Sequence, residues 1–510
     1  MSLRKIKKQP FMNRVRKNMN KIFIWVFFFQ IVFGHYCFSY GDYVTVPDSD
    51  SLERLCAFYV IHRDPGCLSR IFDLMELEDC NRSDDTVHML NKLLRCKSED
   101  YSSEECSRLL GLASSLRTFL MKGRYIRTLS EVDCLSDSDI DIGRALILAE
   151  FHDDPDIATK ADIYSYLLDI LALRVKAGLR AENVPSDDPR CIDIINKVLF
   201  EEMGIRFPSK GEMFSDKFTF LSSLIQDRYG VCLGVSSLYL SIAVRIGLPL
   251  EIRTPPGHIY LSYLRKDGSY LNIETTAGGI HLDTKNYEGF FPEKNRKREL
   301  KEVIGLSFMN RGFYFLKEKK YDQAIIAYRL ACRYIPDDHK LKELYGWSLL
   351  FSGHLSEGRS VLEELSGINN PSIAEYLRNE LGIDAVECLL SYPGDSSESL
   401  NGYVDRLSDY IKKYPKSKEI YRRLAHCLVA LGKYGKSIEA FEKSLAYTCD
   451  EMEEAVILAQ IGLIRMDYAL VKKYFRLAEQ WAVLKNFYPE PLKELSRQVM
   501  KLCPDYDEDC

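Results

Sequence analysis

Helix-sized segments recurring at a fixed interval constrain the second half of this chain more than any other feature. Beyond about Leu300 no stretch alternates apolar and polar residues as a strand would, and short turns separate the apolar runs. Gly312, Phe315, Ala324, Tyr328, Ala331 and Pro336 form one set. A shift of 34 residues puts Gly346 on Gly312, and Gly358 and Leu362 on Ala324 and Tyr328. The set Ala425, Leu428, Ser437, Phe441 and Ser444 repeats at the same distance as Ala459, Gly462, Val471, Phe475 and Ala478. Small residues at these positions let paired helices approach, and the aromatic and branched ones fill the space between pairs. One such pair cannot bury its own apolar face, so the pairs must stack into a curved solenoid with a concave binding surface. Residues 370–415 fall out of register and read as degenerate repeats or an insertion.

This pattern resembles tetratricopeptide repeats, which implies that the solenoid, 303–500, binds a peptide or protein. Composition narrows the rest. The 510 residues carry 69 Lys+Arg against 74 Asp+Glu, a net charge of -5, and lack the basic excess of a dedicated nucleic-acid binder. With 46% apolar and 28% charged residues the chain can bury several cores.

The N-terminus is unlike the rest. Arg4, Lys5, Lys7, Lys8, Arg14, Arg16, Lys17 and Lys21 precede an apolar run, 22–34, that is too short for a comfortable span of about 20 residues. A basic flank and a short apolar run have the form of a secretory leader, 1–41, with Ser39 and Gly41 as small residues at a cleavage site. Export across the inner membrane follows, with membrane attachment only where the leader is retained. Residues 42–137 read as short helices holding Cys56, Cys67, Cys80, Cys96, Cys106 and Cys134. None of these pairs has metal-ligand spacing, and neither His62 nor His88 completes a zinc pattern, so disulfides among the six are expected. The end, 501–510, is acidic.

Chemistry concentrates between Leu221 and Gly279. From Ser138 to Arg180 and from Ile192 to Met203 the pattern is helical, with a break at Asn183–Pro189. The run Leu233–Arg245 is a third helix, with Val235, Leu238, Tyr239, Ile242 and Ala243 on one face and Gly247-Leu248-Pro249 ending it. Cys232 therefore sits at a helix start, where the dipole and free N–H groups lower a thiol pKa and can hold an oxyanion. Leu250–Arg253 reads as a strand, and His258–Leu264 with Tyr270–Glu274 as a hairpin. Lys266-Asp267-Gly268 fits a three-residue loop with glycine in the left-handed position. If Arg265 pairs with Ser269, Glu274 lies opposite Tyr260, on the face of His258 and diagonal to it. A two-residue turn would put them on opposite faces. Cysteine, histidine and carboxylate in this order are the parts of an activated thiol, in which the base takes the thiol proton and the acid orients the base. His281 and Asp283 are a rival pair; Ser236 and Ser237 read as helix-face residues, and Gly278-Gly279 as a turn without phosphate-loop spacing.

Gly230-Val231-Cys232, Gly247-Leu248-Pro249, Pro256-Gly257-His258 and Asn272-Ile273-Glu274-Thr275-Thr276 resemble the core of the transglutaminase-like superfamily. Residues 138–302 are similar to a bacterial branch in which that core precedes tetratricopeptide repeats. The resemblance implies an α+β papain-like core, helices on a small antiparallel sheet, followed by an all-α repeat solenoid. It implies Cys232 as nucleophile, His258 as base and Glu274 where the superfamily usually has Asp. Glu is one methylene longer. No cofactor or metal is implied. The expected activity is cysteine-dependent acyl transfer or amide hydrolysis on a peptide or protein recruited by the repeats. The alternative is an inactive core serving as a scaffold.

Overall fold

The computed structural model describes residues 55–56, 59, 63–75, 87–88, 126–208, 216–290, 295–391, 394, 396–446 and 452–502. The leader through residue 41, Cys80, Cys96, Cys106 and the acidic end beyond residue 502 lie outside them. No helix among the described residues is long and apolar enough to cross a membrane. Cys67 and Cys134 are free thiols, so neither belongs to a bridge of the kind expected for the N-terminal cysteines.

The larger of two compact units runs from Val46 to Glu454. Helix Ile142–Glu150 is apolar on nearly every side, and its residues 142–149 are buried. Asp141 caps it by accepting a hydrogen bond from the Arg144 N–H. The expected helical run from Ser138 is thus two helices, the second being Ile157–Ala181, with turns at 151–156 between them. A side chain at Gly143 would put its Cβ 2.5 Å from Leu168 and 2.9 Å from Arg245 Nη1, so glycine allows these helices and Cys232–Ile246 to meet. Arg245, near the end of Cys232–Ile246, reaches Asp141 at 2.8 Å and Asp169 at 2.7 Å. All three groups are buried. Removing either acid would leave a buried charge short of a partner, a change that costs several kcal/mol, roughly 3–5. The predicted helix 192–203 is α-helical only over Cys191–Asn196 and continues as π turns through Glu202.

A four-stranded antiparallel sheet packs against these helices. Its strands are β1 (Glu251–Thr254), β2 (Tyr260–Leu264), β3 (Tyr270–Ile273) and β4 (Arg296–Arg298), in the order β3-β2-β1-β4. The hairpin has the three-residue loop: the Arg265 N–H donates to Ser269 O at 2.9 Å, and Gly268 adopts φ 83. Glycine suits that left-handed backbone because it has no Cβ to clash. Leu261 pairs with Ile273 and Ser262 with Asn272, which sets Glu274 level with Tyr260 at the end of the hairpin.

From Leu300 the chain is helical. The pairs are Leu300–Lys317 with Tyr321–Cys332, His339–Phe351 with Leu355–Glu363, and Lys418–Ala430 with Tyr434–Leu445. The 34-residue frame has a steric cause: a Cβ on Gly312 would stand 2.5 Å from the Tyr328 ring, and one on Gly346 2.7 Å from Leu362. Residues 370–415, out of register in sequence, are helices Pro371–Leu377, Ile383–Leu390 and Ser397–Lys413. In the smaller unit, helix Tyr468–Leu484 follows the same frame, with Gly462 against Val471.

One apolar core joins the sheet-bearing part to the first repeats. Val303, Ile304, Phe308, Tyr328, Leu341 and Leu344 belong to the same buried cluster as Leu238, Tyr239 and Ile242 of the cysteine-bearing helix. Burying a side chain such as Phe308 is worth about 2–3 kcal/mol. Arg298, the last residue of β4, adds an ion pair to Asp338 at 2.6 Å, and Asp338 in turn caps helix His339–Phe351.

Candidate active site

Cys232 is the first residue of its helix. The entering chain is held in place by two backbone bonds, Gly230 N–H to Arg206 O at 3.1 Å and Val231 N–H to Phe218 O at 3.0 Å. Gly234 presses on the same strap: a Cβ there would lie 2.5 Å from Phe218 O. The N-cap is Val231, which has no side-chain acceptor, so the N–H groups of the first turn are not consumed by a cap. The thiol beside them is half-buried.

His258 enters from the loop after β1, where its N–H donates to Pro255 O. Its Nε2 stands 2.8 Å from Glu274 Oε2. The Cys232 side chain lies close enough to the same imidazole to act on its pKa. With Nε2 taken by the carboxylate, Nδ1 remains for the thiol. Burial works against a charged imidazole here, but the Cys232 thiol and the Glu274 carboxylate outweigh it and push the His258 pKa up to about 10. Burial also opposes ionisation of Glu274, yet His258 and the Thr276 donors hold its pKa below the usual carboxylate value. The side chains are 27% and 7% exposed, so the pair is largely shielded while one edge of the imidazole remains open.

Glu274 is fixed from several directions. Its Oε1 accepts from the Thr276 N–H and hydroxyl. Its own N–H donates to Ile280 O, and its carbonyl accepts from the Ala277 and Gly279 N–H groups. Gly279 has φ 78, and a Cβ would fall 2.0 Å from Asn196 Oδ1, so this turn admits only glycine without moving the chain. Ser236 joins the cysteine helix to the same turn through a buried 2.8 Å hydrogen bond to Thr275. Ser236 is thus a pin between elements, and Ser237 is buried. The rival His281 is held by the Asn272 backbone, whose N–H donates to its Nδ1 at 3.0 Å, with exposed Asp283 3.6 Å from Nε2. No cluster of three or more ligating side chains suited to a metal occurs among the described residues.

The Tyr287 ring lies 3.7 Å from that of Tyr260 and 6.0 Å from that of His258, nearly parallel to both. The sequence offers no signal for Tyr287, because helix Lys285–Glu288 bears no periodic relation to the hairpin. Thr276 was legible in part, since a threonine two residues beyond an acid is a common local donor to it.

Residues 163–304, which include Cys232, His258 and Glu274, match the family model described as the transglutaminase-like superfamily. This is a transglutaminase-like domain. Its first and last matched residues fall inside helices Ile157–Ala181 and Leu300–Lys317. A tetratricopeptide-repeat model matches residues 418–448, the helix pair Lys418–Ala430 and Tyr434–Leu445. The chain is therefore a mostly helical protein in which a transglutaminase-like domain with a small antiparallel sheet precedes tetratricopeptide repeats. Such repeats generally mediate protein–protein interaction. No curated protein matches the chain. A solved structure titled "MamA AMB-1 P212121" is similar at 17% identity over 35% of this chain and 92% of its own, with a TM-score of 0.19. That score carries no argument about fold or function.

Proposed function

We infer that the transglutaminase-like domain is a cysteine-dependent acyl-transfer or amide-hydrolysing enzyme whose peptide or protein substrate is recruited by the repeats. The observation that carries this reading is the His258 imidazole 2.8 Å from the Glu274 carboxylate, with Cys232 at its helix start close enough to act on the same ring. Cys232 gives its proton to His258, and the resulting thiolate attacks an amide carbonyl carbon. The new C–S bond pushes an electron pair onto the carbonyl oxygen, which the first-turn N–H groups of the cysteine helix receive. His258 then protonates the departing amine as the C–N bond breaks, leaving a thioester on Cys232. Water or a second amine attacks that thioester, His258 takes the incoming proton, and the C–S bond breaks to restore the thiolate. Glu274 keeps the imidazole oriented and its positive charge balanced throughout. The leader of residues 1–41 sends the chain across a membrane in this reading, and sequencing of the mature N-terminus should find a start near Asp42.

The test uses an electrophilic amide-mimetic probe on the full chain. Wild-type protein is labelled at Cys232 faster than at any other of the 15 cysteines, and Cys232→Ala loses that labelling. Equal labelling of the two proteins would overturn the assignment and leave the domain as a scaffold.

A further inference from the structure

Glu274 has one position for a hydrogen-bond donor still to be accounted for. An ionised carboxylate offers about four lone-pair directions. Oε2 accepts from His258, and Oε1 accepts twice from Thr276. The Tyr287 hydroxyl is buried and makes no hydrogen bond of normal geometry. Burial first, and then the charge of the nearby Glu274 carboxylate, raise the phenol well above its ordinary pKa. Its ring is fixed by the stack on Tyr260, and Tyr260 is itself buried and held by Asn295, whose side-chain N–H donates to its hydroxyl at 2.9 Å. The same ring runs parallel to the imidazole, with only 11° between the planes. The phenol is therefore placed by a rigid aromatic stack rather than by a hydrogen bond of its own.

We propose that Tyr287 is a positioning residue for the thiol–imidazole pair: its ring covers His258 and its hydroxyl supplies the remaining donor to Glu274. The inference rests on the reading of Cys232, His258 and Glu274 as a reactive set. Catalytic hydrogen bonds are often long in a resting site and shorten when charge develops. His258 is already held as the imidazolium at neutral pH, and a donor on the far side of Glu274 keeps the carboxylate that balances it ionised at lower pH. Tyr287 acts through Glu274 and His258.

The experiment is the pH profile, from pH 4 to 9, of Cys232 alkylation by iodoacetamide in the full chain, with the site located by mass spectrometry. Wild type, Tyr287→Phe and Tyr287→Leu are compared. Phenylalanine keeps the stack on Tyr260, so that variant retains the fold and tests the hydroxyl alone. The readout is the acid limb of each profile. In Tyr287→Phe it moves up by about one pH unit, because a hydrogen bond to a charged group is worth about that much. Tyr287→Leu shows the same shift together with a several-fold lower plateau, because the imidazole loses its cover. A Tyr287→Phe profile superimposed on that of wild type would overturn the positioning role while leaving the reactive pair intact. Cys232 alkylated no faster than the other cysteines at any pH would sink the reactive pair, and this inference with it.

Discussion

Replacing Glu274 by Gln keeps the shape of the side chain and removes the charge 2.8 Å from His258 Nε2. Two unit charges centred about 4 Å apart attract by about 4 kcal/mol at the effective dielectric of a partly buried site. That energy corresponds to about three pKa units. Solvent reaches the imidazole, which is 27% exposed, and screening reduces the expected effect to about two units. The His258 pKa should therefore fall by about two units from about 10 in Glu274→Gln. Nuclear magnetic resonance of protein labelled at its nine histidines reads this directly, and the His258 signal is identified by its loss in His258→Ala. A His258 signal that titrates at the same pH in wild type and Glu274→Gln would refute the claim that the carboxylate holds the imidazolium.

Two further outcomes follow from the same geometry. His258 has a raised pKa, so its contribution to stability is complete below the free value of 6.5 and is lost as pH rises through about 10; Glu274 has a lowered pKa, so its contribution holds above 4.5 and is lost as pH falls through the depressed value. Urea midpoints of wild type should exceed those of Glu274→Gln most between about pH 4.5 and 6.5, and parallel curves would contradict the linkage. Gly279→Ala forces a side chain into left-handed backbone against Asn196, so thermal unfolding should show a loss of about 1–3 kcal/mol, and Cys232 labelling should slow as the Glu274 turn shifts.

Local rules made the hairpin legible. A three-residue loop with glycine third fixes the parity of every side chain beyond it, and one residue fewer would have turned Glu274 to the other face. The helix of Cys232 was equally legible, because Gly230 precedes it and Gly247-Leu248-Pro249 ends it. One feature had no local cause, and another had a local cause that the apolar periodicity hid. β4 is three basic residues without apolar alternation, and it is a strand only because β1 offers an open edge. The break within 138–180 falls at 151–156, where Asp-Asp-Pro-Asp turns stop an otherwise continuous apolar pattern.

The sequence by itself determined what depends on neighbours along the chain: the 34-residue frame, the order of cysteine, histidine and acid, and a Lys266-Asp267-Gly268 loop that fits the register the structure adopts. Tertiary structure alone decided what depends on residues distant in sequence. It placed Tyr287 over His258, set Asn196 against Gly279, and ran one apolar core from the cysteine helix into the first repeats. Apolar contact and aromatic stacking are without direction along the chain, so periodicity shows which face of Leu300–Lys317 is buried but not what covers it. Here that cover includes the helices of the transglutaminase-like domain itself.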